Sequence, residues 1–445
     1  MFAYIRFDLK RKIKNPRTLF VIILIFILSL QKIGQYNIES RKSDNSGLYN
    51  RSEAIERRGR RGLNNYVLDY GDKADDNIIN SYEVMVNTGI QMKMAVKNED
   101  YSEYNRLSTF GNLITAKSII SKEDRLWQMI FQKQAMEIWD NVSNGIPYDD
   151  VYFEKIGPRG NLPFYYKFLI DAKHDYILYT ENLISLEPYY IDSISFIYMY
   201  LNEVLPFIMA FIILILTFDN VNEEWNSGSI KVTINNIFSR NKYIASKIIT
   251  GILYNLFVIA MPPILISLIY GLFDSFGNYK YPVLYLKNGF KTLKPLPNYL
   301  EFDKINVGYN TSIGISLHSG IPKGEMGISN RLTLMYLYKF LILSIILLLF
   351  SIIFYVALNT LISSLSKNKI VGFIISAIIT IVSTIISKPL TMNEHLNLSP
   401  FSMNNPIRIL NGTYNVTALA SLLILIGTSF LLILTNIQYY KRKDL

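Results

Sequence analysis

Six apolar segments, a low share of charged residues and basic clusters at alternate connections predict an all-α membrane protein. The expected architecture is six transmembrane helices with an N-terminal interfacial elbow helix, plus a mainly helical extracellular domain. A run of about 20 apolar residues is the length that carries a helix across a bilayer. Only 18% of the 445 residues are charged, against about 25% in soluble proteins.

The segments occupy 18–30, 204–218 with an apolar approach from Ile194, 248–273, 341–361, 370–387 and 416–437. The clearest reads LILSIILLLFSIIFYVALNTL over 341–361. The first is short for a crossing and has the length of a signal-peptide core. Yet Ser29-Leu30-Gln31 is not a small-x-small cleavage site, and a long basic stretch precedes the segment. In that stretch Phe2, Ile5, Leu9 and Ile13 share helical spacing, with Arg6, Lys10 and Lys14 on other faces. That is the pattern of a helix lying in a membrane surface. The N-terminus is therefore expected to form an elbow helix, then a crossing extended through 31–33.

Cytoplasmic connections are enriched in Lys and Arg close to the membrane. Arg6, Lys10, Arg11, Lys12, Lys14 and Arg17 precede the first crossing, and Lys441, Arg442 and Lys443 follow the last. Both termini are therefore expected in the cytoplasm. Lys231, Arg240, Lys242 and Lys247 assign the second-to-third connection to the same side, and Lys367 and Lys369 the fourth-to-fifth. The chain then divides into 1–33, elbow helix and first crossing; 34–193, extracellular domain; and 194–273, second and third crossings with a cytoplasmic docking loop at 219–247. After these come 274–331, a second extracellular loop, and 332–445, the last three crossings and a basic tail. Such a chain is a multi-pass protein of the plasma membrane. Its net charge of +10 belongs to these flanking residues, so no nucleic-acid partner is expected.

Within 34–193, residues 39–50 read as irregular, and Arg51, Arg57, Arg58, Arg60 and Arg61 form a basic knot against Glu53 and Glu56. That knot reads as a solvated segment or as a contact for anionic headgroups or an acidic wall polymer. Helical periodicity covers 78–96, 101–120 and 125–142. The aromatics of 165–191, among them Tyr165, Tyr166, Phe168, Tyr176, Tyr179, Tyr189 and Tyr190, fit an interfacial belt or a surface that captures an amphipathic substrate. The loop 274–331 shows little periodicity, and nothing in it decides whether it caps the first domain.

No catalytic residue is indicated. Cysteine is absent, which excludes disulfides and thiolate chemistry. His174, His318 and His395 lie far apart, so no metal site is expected. No Gly-x-x-x-x-Gly-Lys-Ser/Thr, Gly-x-Ser-x-Gly or His-Glu-x-x-His occurs. Charges within apolar segments are costly and mark function. Glu203 and Lys339 fall at similar depth and form a candidate intramembrane pair; both also fit the membrane interface. Pro206 and Pro262-Pro263 are expected kinks.

The most specific stretch is 219–247, DNVNEEWNSGSIKVTINNIFSRNKYIASK. It is too polar to span and too patterned for a linker. Glu223 and Glu224 precede Gly228-Ser229, and Ser239-Arg240 opens a helix that reaches Lys247, with Ser239 as N-cap. On these residues the chain resembles the permease family of type-2 ABC exporters, with Ser229 where Thr is usual and Ile237 where Pro is common. Lys14-Asn15-Pro16-Arg17, Ser364-Leu365-Ser366-Lys367, Ser399-Pro400-Phe401, Asn405-Pro406, Gly412 and residues 441–444 resemble the same family.

The resemblance implies a branch with a large extracellular domain between the first two crossings. It implies two cytosolic ABC ATPase subunits and a second permease subunit, identical or homologous. No cofactor is then expected on this chain; ATP and Mg would sit on the partner ATPase. Glu223, Glu224, Gly228, Ser239, Arg240 and Lys247 would form the ATPase-docking segment. The expected cargo is amphipathic: an antimicrobial or other peptide, a lipid-like molecule or a drug, with peptide resistance as a role. Richness in Ile, Asn, Lys and Tyr suggests an AT-rich genome such as that of a Gram-positive bacterium. Two other classes stay open: a membrane sensor or scaffold with an extracellular ligand-binding domain, and a gradient-driven transporter.

Overall fold

A computed structural model describes residues 1–43, 46–119, 135–153, 162–185, 190–226, 239–273, 276–294, 332–366, 368–387, 398–412, 414 and 416–442. Its six long apolar helices are α2 (span Pro16–Ile38), α7 (Ser193–Glu224), α8 (Arg240–Phe273), α9 (Leu337–Leu365), α10 (Lys369–Ile386) and α12 (Ala418–Arg442). Each is long and apolar enough to cross a membrane. A short helix α1 (Phe2–Ile13) precedes them. The helices α3 (Ser46–Tyr70), α4 (Asp76–Lys97), α5 (Tyr101–Ile119) and α6 (Leu162–Thr180) are inserted between α2 and α7.

The exterior of the bundle is apolar. Ile370, Ile374, Ile378, Ile381 and Ile385 of α10 are all largely exposed, as are Leu423, Phe430 and Leu431 of α12. In water such surfaces would drive aggregation; in lipid they face their own solvent. Helical pairing satisfies the polar backbone apart from carbonyls that prolines free, as a bilayer demands.

The two proline sites are connected. Pro206 has no N–H for the carbonyl of Asn202, and the chain passes through one turn of π-helix, Tyr200–Val204, just before it. The freed Asn202 carbonyl instead accepts from Asn405 Nδ2 at 3.1 Å. Asn405 also caps the short buried helix α11 (Pro406–Leu410). Pro263 frees the carbonyl of Ile259, which accepts from Tyr200 Oη at 3.0 Å. The expected kinks are thus joints between α7, α8 and the stretch before α12, and α8 runs unbroken through both prolines.

The inserted helices have their own core around Met85, Tyr104, Leu113, Trp139 and Leu169. The arginine-rich segment, expected to be irregular at its start, is the helix α3. It packs against α4 where Gly89 allows close approach: a Cβ there would meet the Glu56 backbone nitrogen at 2.6 Å. Periodicity finds α4 and α5 within a few residues; of 125–142, residues 135–142 are described and helical. Phe168, Tyr176 and Tyr179 of α6 pack in or against this core, and Tyr190 packs against the core of the bundle; Tyr189 lies outside the described residues. The loop 274–331 contains a strand the sequence does not announce. There β1 (Pro282–Leu286) pairs antiparallel with β2 (Leu332–Tyr336), Leu284 opposite Leu334. Leu284, Leu286 and Leu332 join the inserted core, and Glu181 receives Lys280 at 2.5 Å and Tyr336 Oη at 2.9 Å. The strand β2 runs directly into α9, so this pair ties the inserted helices to the bundle.

Candidate functional site at the N-terminal helix

Helix α1 turns an unexpected face inward. Its buried residues are Ile5, Asp8 and Lys12, one face by their spacing of three and four. The apolar stripe read from sequence splits: Ile5 is buried and Leu9 partly so, whereas Phe2 is 84% and Ile13 37% exposed; Phe7, outside the stripe, is 66% exposed. Charges join the apolar contacts of Tyr4 and Leu9 in holding α1 to the bundle.

They do so through Glu224 at the end of α7 and Lys247 in α8. Glu224 accepts from Tyr4 Oη at 2.9 and 3.0 Å, Tyr243 Oη at 2.9 Å and Lys247 Nζ at 2.6 Å. Lys247 Nζ also donates to Asp8 Oδ2 at 3.0 Å. Arg11 reaches Asp8 at 2.8 Å, Glu223 at 3.2 Å and Glu224 at 3.5 Å. Lys247 is fully buried, with Asp8 and Glu224 almost so. Isolated charges at that depth would cost several kcal/mol; here two carboxylates share two cations, with tyrosine hydroxyls on the remaining lone pairs.

A second layer extends the network. Lys12 Nζ donates to Asn220 Oδ1 at 2.6 Å, and Asn220 Nδ2 donates to the Lys247 carbonyl at 3.2 Å and to Thr360 Oγ1 of α9 at 3.1 Å. Ser363 Oγ of α9 accepts from the backbone of Val221 and Asn222 at 3.1 and 3.2 Å. Arg17 bonds Asp219 at 2.6 Å and lies 5.0 Å from the ring of Phe218. Burial works against the Asp8 charge, but Lys247 and Lys12 outweigh it and hold the carboxyl below its ordinary range. Burial also brings the Lys12 ammonium down to about 8. The arrangement concentrates paired charge where α1, α7 and α8 meet. Among the described residues no group of three or more His, Cys, Asp or Glu could hold a metal.

Of the expected docking residues, Glu224 and Lys247 are brought together, and both point inward. A carboxylate already shared by two tyrosines and a lysine has no lone pair turned to the surface, so the side chain of Glu224 is an internal anchor. Glu223 sits at the rim, about half exposed, against Arg11. Ser239 is exposed ahead of α8, its carbonyl accepting from Tyr243 N at 3.1 Å. Its hydroxyl makes no capping bond among the described residues. Arg240 donates to the Lys441 carbonyl at 3.1 Å, joining α8 to α12. Gly228 lies outside the described residues.

Glu203 and Lys339 are not brought together. Glu203, in the π-helical turn, pairs instead with α2: Lys32 Nζ at 3.0 Å and Tyr36 Oη at 2.5 Å. Lys339 is exposed, 5.8 Å from the rings of Tyr336 and Tyr338. A residue at the start of α9 has the exterior available and takes it.

Sequence reasoning missed Tyr4, Asp8, Lys12, Asn220 and Tyr243. One signal was present: Asp8 is the sole acidic residue among six basic ones in the first 17 positions.

A family model described as ABC-2 family transporter protein matches residues 3–445. No curated protein and no solved structure matches the chain.

Proposed function

The chain belongs to the ABC-2 transporter family, a membrane transport component and not itself a catalyst, and from that premise we propose that it is the permease subunit of an ATP-driven exporter. Both termini face the cytoplasm, and α1 is an elbow helix on the inner leaflet with Phe2 and Phe7 dipped into lipid. The domain between α2 and α7 is then extracellular. Two cytosolic ATPase subunits carry ATP and Mg, and a second permease subunit, identical or homologous, completes the pore. The cargo is amphipathic: a peptide, a lipid-like molecule or a drug.

The observation that carries this reading is the buried Asp8–Lys247–Glu224 network. It joins α1, α7 and α8, and through Asn220 and Ser363 also α9, at the end of the bundle from which the docking segment leaves. A partner pressing on that segment would displace four elements as one body, because breaking a buried pair leaves an uncompensated charge. Glu224 anchors the docking segment from beneath, and the residues after it meet the ATPase.

The test is purification of the full chain from its native membrane in mild detergent, followed by an ATPase assay. A stoichiometric ATP-binding subunit whose hydrolysis falls in a Glu224→Lys variant of intact membrane abundance is the expected result. Recovery of the chain without an ATPase would count against the reading.

A further inference from the structure

The arginines of α3 are wired unequally. Arg60 is met by Glu56 at 2.8 Å, and Glu56 is further occupied by Lys93 at 2.5 Å. Among the described residues Arg57 pairs only with Glu53, at 3.8 Å. Arg51, deeper, faces Asp175 at 4.0 Å, and that carboxylate also takes His174 Nδ1 at 3.0 Å, Ser108 Oγ at 2.6 Å and Asn112 Nδ2 at 3.1 Å. Arg58 and Arg61 make no ion pair among the described residues, although carboxylates lie nearby on their own helix.

These two residues, with Arg57, line one cleft of about 490 Å³, with Tyr82 and Met85 of α4 also in its lining. Gly62 lets that wall close in: a Cβ there would meet the Tyr82 ring at 2.2 Å. The guanidinium of Arg58 lies 4.5 Å from the ring of Phe168, which fixes its plane. Partial desolvation lowers its pKa, and Asp171 and Asp175 share a smaller chamber with it. That chamber, of about 140 Å³, contains the Arg51–Asp175 cluster; there the charges satisfy one another. The volume of the outer cleft is that of a small-molecule site.

We propose that this cleft of the inserted domain binds a phosphate-bearing ligand, held by Arg58 and Arg61 with Arg57 at its rim. Planar guanidinium forks match phosphate oxygens two at a time, and three of them along one helix face suit a group of more than one negative charge. Tyr82 and Met85 supply apolar surface for whatever the phosphate carries. The phosphate comes from a lipid headgroup or from a soluble phosphorylated molecule, and the two sources separate experimentally.

The probe is inorganic pyrophosphate, titrated by calorimetry into the full-length chain in nanodiscs of phosphatidylcholine. Saturable binding that weakens with salt is expected, reduced at least tenfold in Arg58→Gln and in Arg61→Gln. Arg60→Gln, which removes a paired arginine outside the cleft, should bind as the parent does. Unchanged melting temperature in the Arg58 variant separates loss of the site from loss of the fold. Binding that is not saturable, or equal in all three variants, overturns the proposal. Repeating the titration in nanodiscs containing phosphatidylglycerol assigns the source. Weaker pyrophosphate binding there supports a headgroup as occupant, and undiminished binding supports a soluble ligand.

Discussion

Two regions use the same residue types to opposite ends. Beneath the bundle, Arg11 and Lys247 share Asp8 and Glu224, and the cationic side of the network is fully answered. On α3, Arg58 and Arg61 line a cleft and make no ion pair among the described residues. A cation whose partner lies within the chain is a joint; one left over in a concave wall is a receptor. The difference lies in helix register. Asp8 and Lys12 are four apart and enter the same buried face, whereas Glu56 is four residues from Arg60 and so serves it rather than Arg58 or Arg61.

The largest break in the comparison comes from removing Lys247. Lys247→Met leaves two buried carboxylates with one half-exposed arginine between them and should cost about 3–5 kcal/mol. It would be read as a large fall in melting temperature and in membrane abundance. Asp8→Asn keeps the shape and one acceptor and should cost less, about 1–3 kcal/mol, checked by the same melts.

The next effect is one of pH in the inserted domain. Burial pushes the Asp175 carboxyl up, but His174, Arg51 and Ser108 together bring it below its ordinary range. The folded state then binds the proton more weakly than the unfolded chain, so this stabilisation is present above the ordinary carboxyl pKa and is lost as pH falls through and below it. Melting of the parent should drop more steeply on acidification than that of Asp175→Asn. Lys117 works in the other direction of titration: burial brings it down to about 8. Its cost to stability is present below pH 8 and is relieved as pH rises towards its ordinary value of 10.5, and a Lys117→Met variant should lose that alkaline gain. The smallest effect belongs to Glu203→Gln, whose pair with Lys32 is partly exposed. A loss of no more than about 1 kcal/mol is expected, measured as a double-mutant cycle with Lys32→Met.

Much of the membrane part was legible because one physical requirement, an apolar run matched to bilayer thickness, dominates its sequence. Four of the six apolar segments fall within helices of spanning length, and 370–387 and 416–437 overrun theirs by one and two residues. The site was legible only as a segment. Glu224 and Lys247 stood out by their position in 219–247, but their partners Tyr4 and Asp8 lie more than 200 residues away in sequence, where basic flanks hide a lone acid. Local periodicity carries no information about which distant helix receives a buried charge. The same limit explains Glu203, whose partner on α2 is selected by packing. The strand pair fails for another reason: β1 and β2 are five residues each, separated by a long connection, and their alternation is too short to register.

The most direct measurement sets Lys247→Met beside Arg58→Gln in the full-length protein, recording melting temperature and pyrophosphate binding for both below their transitions. A crossed result is expected: Lys247→Met melts far lower yet binds pyrophosphate as the parent does, and Arg58→Gln melts with the parent yet binds at least tenfold more weakly. If the two variants lose stability alike, or if Arg58→Gln retains full binding, the distinction between joint and receptor is wrong.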